Sequence, residues 1–91
     1  MDIVKPAVAG TIESSDMMVQ IFPGDGSVEI DLESSVDMYY RDTILSVIKE
    51  VLDQSQVRSA KIRAVDRGAL DCTIRARVAT AIKRASQEVS A

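Results

Sequence analysis

Ser27-Val28-Glu29-Ile30-Asp31-Leu32-Glu33 alternates polar and apolar residues without a break. A period of two is the pattern of a β-strand with one face buried and the other in water. The pattern then changes abruptly. Ser34 and Ser35 offer side-chain oxygens to the free amides of a helix start, and Asp37 favours the positive end of a helix dipole. From there Val36, Tyr40, Ile44, Val47, Ile48, Val51 and Leu52 recur at spacings of three and four, with Tyr39 widening the stripe. The spacing predicts a helix to about Asp53 that lays one face on a sheet.

Upstream of this switch, Pro23, Gly24, Asp25 and Gly26 form a dense turn signal. Before it, Met17 to Phe22 reads as an extended run, and Ala7 to Ile12 as another. Between those two runs lies the polar tetrad Glu13-Ser14-Ser15-Asp16, which reads as the tip of a hairpin. The Pro23–Gly26 turn predicts a second hairpin, joining Met17–Phe22 to Ser27–Glu33.

Downstream, Ala60, Ile62 and Ala64 alternate with Lys61 and Arg63 within Ser59 to Val65, which predicts a strand with a basic outer face. Asp66, Arg67 and Gly68 then turn the chain. Leu70, Ile74, Val78, Ala81, Ile82, Ala85 and Val89 fall on one face of a second helix, with Asp71 in its first turn and Lys83 and Arg84 toward its end. Asp71 and Arg75 are four apart with the acid first, the better orientation for a surface pair. The order β-β-β-α-β-α predicts an α+β fold: a mostly antiparallel sheet of about four strands with two helices packed on one face.

Composition narrows the function classes. The 91 residues, 46% hydrophobic and 27% charged, suit one small domain over 1–91 with a thin core and little interior for a self-contained active site. There is no His, no Trp and no Asn, and a single Cys. The chain therefore lacks the commonest general base and cannot build a Ser-His-Asp triad, an internal disulfide or a usual zinc site. The expectation is a non-catalytic protein. Met1 to Gly10 does not read as a signal peptide. No window approaches roughly 18 consecutive apolar residues, and one unpaired Cys suits a reducing compartment. A cytoplasmic protein without a membrane span is expected.

The formal net charge of −3 is unevenly distributed. Met1 to Ser55 has 11 acidic and 3 basic residues, net −8, and Gln56 to Ala91 has 3 acidic and 8 basic, net +5. A fold that kept the halves apart would steer partners or anionic ligands toward one face.

The tip serines, Ser14 and Ser15, sit where a modifying enzyme could reach them. Turn chemistry alone accounts for serines at such a place. With no histidine to activate either, a functional serine here is an attachment point rather than a nucleophile acting alone.

Two blocks carry a family resemblance: Pro6-Ala7-Val8-Ala9-Gly10-Thr11 followed by Glu13-Ser14-Ser15-Asp16, and Asp66-Arg67-Gly68-Ala69-Leu70-Asp71-Cys72-Thr73-Ile74-Arg75-Ala76-Arg77. In order and spacing over nearly the whole chain, the sequence resembles the acyl carrier proteins of citrate lyase, its gamma subunits. The resemblance implies that Ser14 bears a phosphoribosyl-dephospho-coenzyme A arm through a phosphodiester, with Ser15 as the adjacent alternative. The arm's precursor would be 2'-(5''-triphosphoribosyl)-3'-dephospho-CoA, supplied by a dedicated transferase. It further implies an oligomeric complex for citrate fermentation. In it the alpha subunit exchanges acetyl for citryl on the arm's thiol, and the beta subunit cleaves the citryl thioester to oxaloacetate. An inventory poor in catalytic groups suits that division, because the reactive thiol belongs to the arm. The carriers of fatty acid synthesis, helical bundles with an Asp-Ser-Leu motif, are not a guide here. Two rival readings are a carrier for a related malonate decarboxylase-type complex and a small interaction module without an arm.

Other candidates weigh less. Cys72, two residues after Leu70, reads as a packing residue of the second helix. Arg58, Lys61, Arg63, Arg67, Arg75 and Arg77 form the densest basic region; a plain solvated face accounts for it as well as any function does, and among the functional readings subunit docking, centred on Arg75 and Arg77, is preferred over arm phosphates. Nucleic acid is disfavoured by a pI of 4.8 and by only two Tyr and one Phe for stacking. Asp16, Asp25, Asp31 and Glu33 do not match a calcium loop, so no metal is expected. Tyr39 and Tyr40 read as core and rim residues of the first helix.

Overall fold

Six elements follow one another in the order the residue patterns predict: β1 (Ala7–Gly10), β2 (Met17–Pro23), β3 (Val28–Ser34), α1 (Met38–Gln54), β4 (Ala60–Asp66) and α2 (Asp71–Ser86). The computed structural model describes residues 1–34 and 38–86, and the side chains of all of these except 38 and 39. Ser35, Val36 and Asp37, assigned above to the start of the first helix, lie outside the described residues, as do the Tyr39 side chain and Val89.

The sheet order is β1-β2-β4-β3. β1 and β2 form the expected antiparallel hairpin, with Ala7 opposite Ile21 and Gly10 opposite Met18. The first strand ends at Gly10, short of Ile12, which is 58% exposed. The second expected hairpin does not form. β4 inserts between β2 and β3, antiparallel to β2 and parallel to β3. The sheet is thus mixed, and α1 is the crossover of a β3-α1-β4 unit.

Burial and charge explain this order. Five of the seven β4 residues are buried, as a central strand requires, whereas β3 buries only Leu32 and shows its acids to solvent, as suits an edge. The parallel register places Glu29 beside Lys61 and Asp31 beside Arg63, so the acidic outer face of β3 lies against the basic outer face of β4. A β2–β3 hairpin would leave those faces unmatched. The Pro23–Gly26 segment instead lifts the chain over the end of β4. Ala60 N–H donates to Ser27 O at 3.1 Å, and Gly24 lies so close that a Cβ there would sit 2.5 Å from the Ala60 nitrogen.

One face of the sheet, built by Ala9, Met17, Val19, Ile21, Leu32, Ala60, Ile62 and Ala64, is buried against the helices. α2 packs over β1 and β2 with Ile74, Val78, Ala81, Ile82 and Ala85. α1 packs on α2 and β3 with Ile44, Val47, Ile48, Val51 and Leu52. Small alanines on β4 and α2 allow close approach of the layers. Two stripe residues lie outside this core: Tyr40 is 57% and Leu70 69% exposed, each at or just before the first turn of its helix, beyond the sheet's reach. Cys72 is exposed rather than a packing residue, because it falls on the solvent side of the turn that buries Ile74.

The helix ends are closed by local bonds. After α1, Val57 N–H reaches Leu52 O at 2.9 Å and Gln56 N–H reaches Asp53 O at 3.0 Å, the paired bonds of a Schellman motif. Its left-handed position is Gln56, at φ 57°, where glycine is usual. After α2, the N-terminal segment returns, and the amides of Val4 and Lys5 both donate to Ala85 O at 2.9 and 3.2 Å.

The two charge halves are not kept apart. β4 sits between strands of the acidic half, and Arg75 bridges Glu50 at 3.0 Å and Asp71 at 3.2 Å, tying α2 to α1 and forming the expected four-apart pair. Steering by a segregated field is therefore not a property of this fold.

Candidate attachment site

Gly10 sets where the hairpin tip begins. Its φ is +87°, and a Cβ there would fall 1.8 Å from the Met17 carbonyl oxygen and 3.1 Å from Cδ of Arg77. Only glycine lets β1 end against β2 with an arginine stem lying across it. Thr11 follows, and its Oγ1 accepts the Glu13 N–H at 3.2 Å, a local turn bond that starts the loop.

Glu13 to Asp16 then make a tight turn closed by Asp16 N–H to Glu13 O at 3.2 Å, with Ser14 and Ser15 as its central residues. Ser15 adopts φ 66°, the left-handed region. The turn docks on the residue that follows β4: Ser15 N–H donates to Arg67 O at 2.8 Å and Arg67 N–H donates to Asp16 O at 3.0 Å. Two residues facing one, the first with positive φ, constitute a β-bulge in which Ser15 takes the place glycine usually fills.

Asp16 is the anchor. Its carboxylate accepts Thr11 O–H at 2.6 Å and Met17 N–H at 2.7 Å, and Arg77 of α2 donates to both oxygens, Nε at 2.9 Å and Nη2 at 3.0 Å. Foremost the forked arginine, then Thr11 and the Met17 amide, hold this carboxyl far below the usual carboxylate range. The side chain is only 14% exposed, so the ion pair lies under the tip.

Ser14 and Ser15 themselves are exposed. Among the described residues the Ser14 hydroxyl has no hydrogen-bond partner. A free primary hydroxyl at the centre of a fixed turn fits covalent attachment through a phosphodiester. The charge of Asp16, two residues away, is compensated by Arg77, which lessens repulsion of an incoming phosphate. Among the described residues no side chain bonds to the Ser14 hydroxyl as a base would. A cleft of about 810 Å³ between β3 and α1, lined by Val28, Ile30, Leu45, Lys49 and Glu50 among others, contains no residue of the tip.

Of the two arginines read as docking residues, Arg77 is engaged at the tip and Arg75 between the helices, both in ion pairs within the chain. Residue patterns missed two participants. In the sequence Asp16 stands as a tip acid and as one of four carboxylates that match no calcium loop, although its place closing the tetrad is the signal that it anchors the turn. Asp66, read as a turn residue, is 1% exposed, and its carboxylate accepts Ser34 O–H and Ala69 N–H, each at 3.0 Å, fixing the turn that carries Arg67.

Comparison with known proteins bears on this site. Residues 4–85 match the family model for acyl carrier proteins described as malonate decarboxylase delta subunit (MdcD). The citrate lyase acyl carrier protein of Streptococcus mutans is 50% identical over 88 residues, covering 96% of this chain and 86% of that protein. Those of Oenococcus oeni and an Enterobacter species are 47% and 49% identical, covering 93% and 97% of this chain and 88% and 91% of theirs. In fold, the chain is similar to one in the crystal structure of a Pseudomonas malonate decarboxylase hetero-tetramer in complex with malonate. The TM-score is 0.76 at 21% identity, with 94% of this chain and 93% of that chain covered.

Proposed function

The chain belongs to the family of citrate lyase acyl carrier proteins, and on that premise we propose that it is the non-catalytic carrier subunit of a citrate lyase, modified on Ser14. The observation that supports this most directly is the exposed, unpartnered Ser14 hydroxyl at the centre of a turn anchored through Asp16 and Arg67. When bound, a phosphoribosyl-dephospho-coenzyme A arm supplies a terminal thiol that holds acetyl or citryl as a thioester. This chain's part is to hold the attachment oxygen out in solvent on a rigid support.

Attachment forms a bond from Ser14 Oγ to phosphorus and breaks the bond to a pyrophosphate leaving group, with the serine proton passing to a base of the transferase. Tethering then makes delivery to the alpha and beta subunits intramolecular, raising the local substrate concentration wherever the arm can span the gap. Arg75 and Arg77 are the residues proposed for docking those subunits, each through the part of its guanidinium left over by its ion pairs within the chain. A cytoplasmic complex is part of the proposal; no helix among the described residues is long and apolar enough to cross a membrane.

The test is the intact mass of the protein isolated from its own host during growth on citrate. An adduct of the mass of the arm, absent from Ser14→Ala and retained in Ser15→Ala, is expected. An unmodified chain under those conditions refutes the reading. The matched family description favours one second reading, a carrier for a malonate decarboxylase-type complex; the acyl group recovered from the arm, acetyl and citryl or acetyl and malonyl, separates the two.

A further inference from the structure

We infer that Arg77 is the positioning residue for Ser14, holding the tip in the one conformation that offers the hydroxyl to an activated phosphoryl donor. The inference rests on the reading of Ser14 as the attachment residue.

Arg77 and Asp16 lie 61 positions apart in sequence, yet their fork of two hydrogen bonds, 2.9 and 3.0 Å, is the link between α2 and the tip. Both ends of the loop close on the same carboxylate, Thr11 from one side and the Met17 amide from the other. Fixing Asp16 therefore restrains both ends of the loop that carries Ser14. The core places Arg77: Ile74 and Val78 beside it in α2 are 3% and 1% exposed, and the stem of its 39% exposed side chain runs over Gly10, where a Cβ would come within 3.1 Å of Cδ. A lysine could supply the charge but not the fork.

The clamp has work to do, because Ser15 is held at φ 66°, a conformation that L-residues leave when nothing restrains them. Without Arg77 the turn keeps its backbone bonds to Glu13 and Arg67 and the short-range bonds among Thr11, Glu13, Asp16 and Met17, but loses the fork that ties the Asp16 carboxylate to α2. In-line transfer needs Ser14 Oγ held on the axis of the breaking bond, so a turn that samples several conformations loses rate even though Ser14 is untouched. Arg75, which contacts Glu50 and Asp71, makes no such connection to the tip.

The experiment compares wild type, Arg77→Gln, Arg77→Lys and, as a destabilised control remote from the tip, Ile82→Val, all as full-length apo protein. Conversion by the transferase with triphosphoribosyl-dephospho-CoA is followed by intact mass, with peptide mapping of the adduct, and amide exchange at Ser15 and Asp16 is measured on the same samples. For Arg77→Gln, kcat/KM for modification is expected to fall about 10- to 100-fold, with faster exchange at both amides. Arg77→Lys should fall between, and Ile82→Val should match wild type. Modification of Arg77→Gln at the rate of Ile82→Val, or unchanged exchange at the tip, overturns the inference. An adduct that maps away from Ser14 in wild type overturns the attachment reading instead, and the exchange data still decide whether Arg77 holds the tip.

Discussion

Replacing Gly10 by alanine tests the geometry beneath the tip, and Gly26→Ala supplies its internal control. Both glycines have positive φ, +87° and +107°, so both substitutions bear the backbone penalty of an L-residue there, about 1–2 kcal/mol for the left-handed region. They differ in surroundings. A Cβ at Gly26 has nothing within 4 Å, whereas one at Gly10 lands 1.8 Å from the Met17 carbonyl oxygen, a backbone atom that cannot move without breaking the β1–β2 pairing at Gly10 and Met18. The same Cβ also presses on Cδ of Arg77 and so on its bonds to Asp16. Gly10→Ala therefore adds the opening of the strand end and the loosening of an ion-pair network, and a total of at least about 3 kcal/mol is expected. At about 4–8 °C per kcal/mol for a domain of this size, Gly26→Ala should lower Tm by several degrees and Gly10→Ala by about 12 °C or more. Thermal and urea denaturation followed by far-ultraviolet circular dichroism give both values. If Gly10→Ala is no less stable than Gly26→Ala, the close approach of Gly10 to Met17 is wrong, and with it the description of the tip.

Two further outcomes follow from particular residues. Gln56→Gly should raise stability by about 0.5–1 kcal/mol, because Gln56 holds a left-handed φ of 57° after α1 that glycine adopts without strain; an unchanged urea midpoint would count against the Schellman geometry. Asp16 has a folded pKa depressed below its ordinary 3.8 by Arg77, Thr11 and the Met17 amide, so the unfolded chain binds more protons as pH falls. Its contribution is complete above the ordinary value and is lost as pH drops through the folded one. The stability gap between wild type and Asp16→Asn should accordingly be widest near neutrality and narrow by about pH 3; urea midpoints at both pH values check this, and a gap that widens on acidification would contradict the assigned ion pair.

The sequence by itself determined the elements and the candidate residue. Strict alternation marked β3, spacings of three and four marked both helices, and a polar tetrad between two extended runs marked the tip with Ser14 and Ser15 on it, the choice of Ser14 resting on the family resemblance. These are local patterns, written within a few residues of where they act. The order of strands was not legible, because alternation states which face is buried and not which strand lies alongside. The Pro23–Gly26 turn looks the same whether the chain doubles back on β2 or passes over β4 to a parallel edge, and only the charge match of Glu29 and Asp31 with Lys61 and Arg63 hinted at the answer. The same limit applied at the site. Asp16 and Arg77 each belong to a motif block that marked the family, but their pairing is set by α2 packing over β1 and β2, a contact between segments 61 residues apart. Tertiary structure alone decided that the serine tip rests on an arginine from the last helix, since the bond depends on how two elements meet and not on what either one contains.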